Sequence, residues 1–436
     1  MRKREFILIW IIVSAILNVT GVADAEILTV ADGLKLAQEN SRLIKIIERD
    51  ENIAEADIML AKSRMLPFVD SSMNQTFLTY QPKAIFGPTT VPLSEKTFFS
   101  YSLNIQQTLY DFKANASRYE ASKIIFQTKK FDTQRVRNLV GFEFLVNYTD
   151  ILESEKLILV AEKEVERLQS HHRIAEVLYT QGVITKNDLL QAEVRISDAK
   201  QRLLTVRNYR ALAASHLNNI LARPLNTEIE TTDFKEIASD IINMDMGKIW
   251  ELAEIKRPEL QIVNETLNVL NLEQKSKKAE YYPKFYVAGG YDYNENRYQV
   301  HESNWSLNLG MNVIVFNGFA TKAELIKLEQ QKFKLLEQKN KLIDEIKLEI
   351  AKYILDSRTA QERVSVTENA VQQAEENLRI YRVMYEKGSG ISTDVLDAVT
   401  LLTVAETNYY KAVYDLRKAE AGVMYSIGTE LSEAYE

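Results

Sequence analysis

Downstream of Thr321, apolar residues fall at Leu328, Leu335 and Leu342, seven positions apart, and then at Ile346, Ile350 and Tyr353 with steps of four and three. This is the spacing of a helix that packs on other helices and keeps a charged outer side. The seven prolines stand at 67, 82, 88, 92, 224, 258 and 283, which leaves 93–223 and 284–436 free of them. The long segments in those gaps are poor in glycine and rich in good helix formers. A helix from about Phe112 to Tyr179 would be on the order of 100 Å long at ~1.5 Å per residue, which no compact globule requires. Each long helix meets a break, QGVITKN at 181–187 or KGSGIST at 387–393, before a helical pattern resumes. Gly182, Gly388 and Gly390 suit the positive-φ turn that ends a helix, and Thr185 and Ser392 or Thr393 can cap the next. Long helical hairpins are therefore predicted, with tips at 181–187 and 387–393.

The period changes after Pro283. Phe285, Val287, Gly289, Tyr291 and Tyr293 alternate with Lys284, Tyr286, Ala288, Gly290 and Asp292. A second run sets Trp305, Leu307, Leu309, Met311, Val313 and Val315 against Ser306, Asn308, Gly310 and Asn312. These predict strands at 284–294 and 304–315, of the length that crosses a bilayer at a tilt. Weaker alternation predicts strands at 68–80 and 98–110. Aromatic residues gather where such strands would meet a membrane interface: Phe77, Tyr80, Phe98, Phe99 and Tyr101, then Tyr291, Tyr293, Tyr298 and Trp305.

The whole pattern occurs twice. Leu36-Ala37 followed by Pro67 recurs as Leu252-Ala253 followed by Pro283, and Leu109-Tyr110-Asp111 as Val315-Phe316-Asn317. LYTQG at 178–182 recurs as MYEKG at 384–388, and DLLQA at 188–192 as DVLDA at 394–398. The constant order implies two structural repeats, 26–222 and 251–428, joined by a linker at 223–250 and followed by a short tail at 429–436.

The first 25 residues read as an export signal: Arg2, Lys3 and Arg4, an apolar run from Ile7 to Leu17, and Ala23-Asp24-Ala25 as a cleavage site. Cysteine is absent, so an exported chain has neither disulfides nor an acylation site, and anchoring must come from the fold. The formal net charge of −7 argues against nucleic acid as a partner. Of four histidines, the adjacent His171 and His172 diverge on a helix, so no metal site is expected. No phosphate-binding, zinc-protease or serine-hydrolase motif occurs, so neither an enzyme nor a cofactor is expected.

Four strands cannot close a barrel, and an open sheet edge cannot face lipid. Two chains would supply eight strands, a size that side chains fill, whereas three would supply twelve and leave a lumen. The expected fold class is an α+β membrane protein, mainly long α-helical coiled-coil hairpins plus four transmembrane strands per chain. The homotrimer would form a twelve-stranded barrel continued by a helical tunnel.

At this level the chain resembles the TolC-like outer-membrane efflux proteins from about Ile27 to Gly428. The most specific piece is Tyr385-x-x-Gly388 followed by Asp394-Val-Leu-Asp397-Ala. The resemblance implies an outer-membrane exit duct of a tripartite efflux system, reaching through the periplasm. An inner-membrane pump and a periplasmic adaptor would deliver small toxic molecules or drugs to it. An outer component of type I protein secretion shares this fold, and a periplasmic scaffold without a pore would share the coiled coils. The resemblance also implies a gate at Tyr385, Asp394 and Asp397, where threefold symmetry would gather carboxylates and attract cations. The first copy has Asp188 and Gln191 instead of the acidic pair. Gly390 stands where that family carries a basic residue, so a weaker or differently tied closed state is expected. Gly182, Gly388 and Tyr179 at the tips are the expected adaptor contacts.

Overall fold

The computed structural model describes residues 27–234 and 244–435, except the side chain of Glu433. The proposed export signal and residues 235–243 of the linker lie outside the described residues. The chain divides into two compact units, one of 46–136 and 257–346, the other of the residues up to Lys45, 137–256 and 347–436.

In the first unit the described residues form a sheet ordered β2-β5-β7-β8, all neighbours antiparallel. Its strands are β2 (Phe68–Phe77), β5 (Thr97–Tyr110), β7 (Lys284–Asn294) and β8 (Ser303–Asn312). The register settles which side chains share a face. Val287 pairs with Gln107 and Leu309, Gly289 with Ile105 and Leu307, and Tyr291 with Leu103 and Trp305, so these form one, mainly apolar face. The other carries Asp70, Ser72 and Asn74 of β2, Ser102 and Asn104 of β5, and Asn304, Ser306 and Asn308 of β8. Ser72 and Ser102 share a hydrogen bond of 2.8 Å, and Asn104 donates to Asp70 at 3.2 Å. Trp305, Leu307 and Leu309 are each about three-quarters exposed. Among the described residues both outer strands, β2 and β8, pair on one side only.

Three boundaries differ from the sequence reading. β8 ends at Asn312, because its partner Lys284 is the first residue after Pro283 and Val313–Val315 have nothing left to pair with. β2 stops at Phe77, opposite Thr97, and leaves the highly exposed Tyr80 outside the sheet. The segment between β2 and β5 is not a plain loop: β3 (Lys83–Phe86) and β4 (Thr89–Pro92) form a hairpin, with Pro88 in its turn and Pro92 at its end. Among the aromatics, Tyr101, Tyr291 and Trp305 form a row on the apolar face, with ring centroids 6.2 and 5.0 Å apart. Phe98 instead shares the polar face with Ser100 and Ser102. A second aromatic group lies at the opposite strand ends, where Phe112 touches Tyr110 and stacks on Tyr282 at 4.6 Å.

Sheet and helix meet at the same unusual turn in both copies. Phe112 and Lys113 have φ of 52° and 68°, and Gly318 and Phe319 have 65° and 66°. Left-handed backbone at bulky residues is disfavoured, yet it recurs at matching positions of the two copies, immediately before each long helix. The long helices therefore start at Ala114 and Ala320: α3 is Ala114–Thr180 and α7 is Ala320–Glu386. They follow shorter helices, α1 (Val30–Asn40) and α2 (Arg42–Ser63) before β2, α5 (Met246–Lys256) and α6 (Pro258–Lys278) before β7.

In the second unit, α3 returns as α4 (Lys186–Ile220) and α7 as α8 (Ser392–Ile427). Of the apolar series on α7, Ile346 at the end of the first unit and Ile350 in the second are buried, whereas Leu328, Leu335, Leu342 and Tyr353 are half-buried. Around Tyr148 of α3, β1 (Ile27–Leu28) pairs in parallel with β6 (Glu230–Thr231). The Tyr148 hydroxyl lies 2.7 Å from the Leu28 carbonyl oxygen and accepts the Thr232 N–H at 2.9 Å. The tail is a short helix, α9 (Leu431–Ala434), with Leu431 buried and Ser432 accepting from Gln38 at 3.0 Å.

Candidate functional site at the hairpin tips

Both tips end their first helix in the same way. Gly182 and Gly388 have φ of 74° and 72°, and Val183 and Ser389 donate back to the carbonyls of Leu178 and Met384 at 2.9 Å. A Cβ at either glycine would meet nothing within 4 Å, so backbone conformation and not space calls for glycine here. Both glycines are exposed.

The second helices begin differently. Thr185 caps α4: Asp188 accepts from its backbone N–H at 3.0 Å and from its hydroxyl at 2.8 Å. Ser392 does not cap α8 but is its first residue, and its Oγ lies 2.9 Å from Nε2 of His171 on α3. His171 is buried, and burial, with Arg382 and His172 adding positive charge nearby, pulls its pKa down to about 4. The imidazole is therefore neutral at pH 7. His172 points elsewhere, to Glu193 at 3.5 Å.

Tyr385 and Tyr179 occupy matching positions but opposite environments. Tyr385 is 2% exposed, its ring 4.8 Å from that of His171, whereas Tyr179 is 40% exposed. Burial raises the pKa of the Tyr385 hydroxyl, and the charge of Asp188 adds to the rise. The hydroxyl meets no hydrogen-bond partner among the described residues. Around it Leu168, Leu378, Val395, Val399 and Leu402 form a core shared by the two hairpins.

Asp394 is half-buried, while Asp397 is exposed and 3.4 Å from Arg195 of α4. Gly390 lies against the preceding turn, where an added Cβ would come 3.1 Å from the Tyr385 nitrogen and 3.2 Å from the Met384 carbonyl carbon. A larger residue there must displace the tip backbone. A two-pronged polar link between the hairpins lies further along: Arg167 of α3 holds Glu406 of α8 through two bonds of 2.8 Å, and both side chains are largely buried. Sequence reasoning missed His171, Arg167 and Glu406, since each finds its partner more than 200 positions away. Among the described residues no His, Asp or Glu cluster could hold a metal, and no helix is long and apolar enough to cross a membrane.

The family model for outer membrane efflux proteins matches residues 33–223 and 250–429. The chain belongs to the outer membrane efflux protein family. Each matched stretch of this efflux protein holds two strands of the four-stranded sheet and one helical hairpin, and the first also holds the β3–β4 hairpin. It is similar to the alkaline protease secretion protein AprF of Pseudomonas aeruginosa, 22% identical over 94% of this chain and 86% of that one. Its fold is similar to that of the outer-membrane channel OprN, with TM-score 0.80, 16% identity and coverage of 92% and 89%. It is also similar to VceC from Vibrio cholerae, with TM-score 0.80, 15% identity and coverage of 92% and 96%. This efflux protein is thus an outer-membrane transport protein and not an enzyme.

Proposed function

We propose that three copies assemble into a single passive duct through the outer membrane, continued by a helical tunnel in the periplasm. The observation that carries this is the sheet of the first unit, apolar on one face, polar on the other, with unpaired edges at β2 and β8. Edges in lipid leave backbone groups unsatisfied at several kcal/mol each, and joining β8 of one copy to β2 of the next removes every edge. Twelve strands place Trp305, Leu307 and Leu309 toward lipid and the Asn and Ser face toward a water-filled lumen. A periplasmic scaffold without a pore has no use for such a sheet.

In this reading the chain is the exit component of a tripartite efflux system, receiving small toxic molecules or drugs from an inner-membrane pump through a periplasmic adaptor. Asp394 and Asp397 form the constriction, with Tyr385 holding the tips, and exposed Gly182, Gly388 and Tyr179 meet the adaptor. The likeness to a protease secretion protein along nearly the whole chain favours a second cargo class, a polypeptide exported by a type I system. Deletion of the gene, scored for drug sensitivity and separately for loss of secreted protein, distinguishes the two.

A further inference from the structure

Away from the tips, α3, α4 and α8 enclose a groove of about 620 Å3, a volume typical of small-molecule sites. Ion pairs within the chain close its two ends. Arg202 holds Glu164 at 2.7 Å at one, and Lys418 lies 2.5 Å from Asp150 and 2.8 Å from Glu153 at the other. The eleven positions from Glu153 to Glu164 span roughly 16 Å at ~1.5 Å per residue. Between these ends the groove presents Leu157, Val206, Tyr209 and Leu212. In their midst stands Lys411, exposed and without a hydrogen bond or ion pair to any described residue, one turn from Thr407.

The direction in which the groove opens follows from helix geometry. Tyr148 and Glu155 on α3 face the β1–β6 pair, through bonds to Leu28, Thr231 and Thr232. Asp150 and Leu157, which face the groove, lie about half a turn around the helix from them. On α4, the exposed apolar residues Leu190, Val194 and Leu204 centre about a quarter-turn around the helix from Tyr209, with Val194 in line with Leu212 at the edge of the groove. The groove thus opens on the side of α3 opposite the β1–β6 pair.

We propose that this groove is a binding niche in the tunnel wall for a single-chain amphiphilic anion. Its carboxylate lies on Lys411 and Thr407, and its chain lies against Leu157, Val206, Tyr209 and Leu212. Arg202 and Lys418 at the ends are both paired and do not compete with Lys411 for the headgroup, the two carboxylates on Lys418 leave that end negative, and the apolar stretch between the ends suits a medium-length acyl chain. The proposal rests on the trimeric reading for the statement that the niche faces the lumen.

The test uses the full chain in lipid nanodiscs and a laurate analogue carrying a photoactivatable diazirine, with labelled peptides mapped by mass spectrometry. Labels are expected on 154–161, 206–213 and 403–411, and also on the apolar sheet face, which serves as an internal control for lipid partition. Lys411→Gln should reduce groove labelling by about tenfold, the equivalent of one charge-assisted contact; Val206→Trp, which fills the apolar stretch, should independently reduce it, and both should leave the sheet labels unchanged. Labelling confined to the sheet, or groove labelling indifferent to both substitutions, overturns the niche. Native mass of the same samples reads assembly separately. A trimer with an unlabelled groove defeats only the niche, and a monomer with a labelled groove defeats only the duct.

Discussion

Nε2 of His171 lies 2.9 Å from Oγ of Ser392, joining α3 of the first hairpin to the start of α8 in the second. A serine hydroxyl both donates and accepts, so either tautomer of the neutral imidazole makes this bond, while protonation puts a charge in the buried site. Burial favours the neutral state, with a folded pKa of about 4 against an ordinary 6.5. Because the folded value is depressed, the unfolded chain binds more protons between these limits. The contribution is therefore present above about pH 6.5 and is lost as pH falls toward 4. The expected loss is at most about 3 kcal/mol per chain. Thermal unfolding at pH 7 and pH 4.5 should show a steeper decline for the wild type than for His171→Gln.

Removing one side of the Arg167–Glu406 pair should be more damaging than removing both. Arg167→Met alone strands a carboxylate that is 9% exposed, at a cost of about 3–5 kcal/mol, and Glu406→Leu alone strands the guanidinium. The double change Arg167→Met with Glu406→Leu should cost clearly less, since an apolar pair replaces the ion pair. Chemical denaturation of the four proteins in a double-mutant cycle measures the difference.

Asp394→Asn with Asp397→Asn should lower cation preference and weaken block by multivalent cations, if these carboxylates ring the constriction. Arg195→Ala, which frees Asp397 from its neighbour at 3.4 Å, should shift selectivity in the opposite direction. Reversal potentials in salt gradients read both, and unchanged selectivity removes the pair from the constriction.

Lys113 holds a φ of 68° without packing that demands its side chain. Lys113→Gly should stabilise the sheet-to-helix turn by about 1 kcal/mol, because glycine adopts left-handed backbone without a Cβ penalty. Phe112→Gly, which also loses the stack on Tyr282 at 4.6 Å, should gain less or lose. Melting temperatures of the two variants rank the effects.

Strands β7 and β8 were legible because their alternation is unbroken, and the hairpins because proline and glycine leave those segments clear. β2 was barely legible, since its apolar-side residues Val69, Ser71, Met73 and Gln75 do not alternate cleanly with its polar ones. Only pairing with β5 assigns their face. The β3–β4 hairpin was hidden by its prolines, which suggest a loop but are tolerated in an edge turn and at a strand end. At the tips, glycine spacing foretold the turns. Ser392 looked like a cap, and its engagement of His171 depends on a tertiary contact that no local pattern contains. The contrast between buried Tyr385 and exposed Tyr179 has the same origin.

Closure of one barrel around a lumen by three chains can be read by single-channel recording in planar bilayers, on material whose native mass is determined in parallel. A mass of three chains is expected, with discrete conductance steps that are abolished when β8 is barred from pairing by Asn308→Pro. A stable monomer, or a trimer with no conductance after the tips are opened by Tyr385→Ala with His171→Ala, would contradict it.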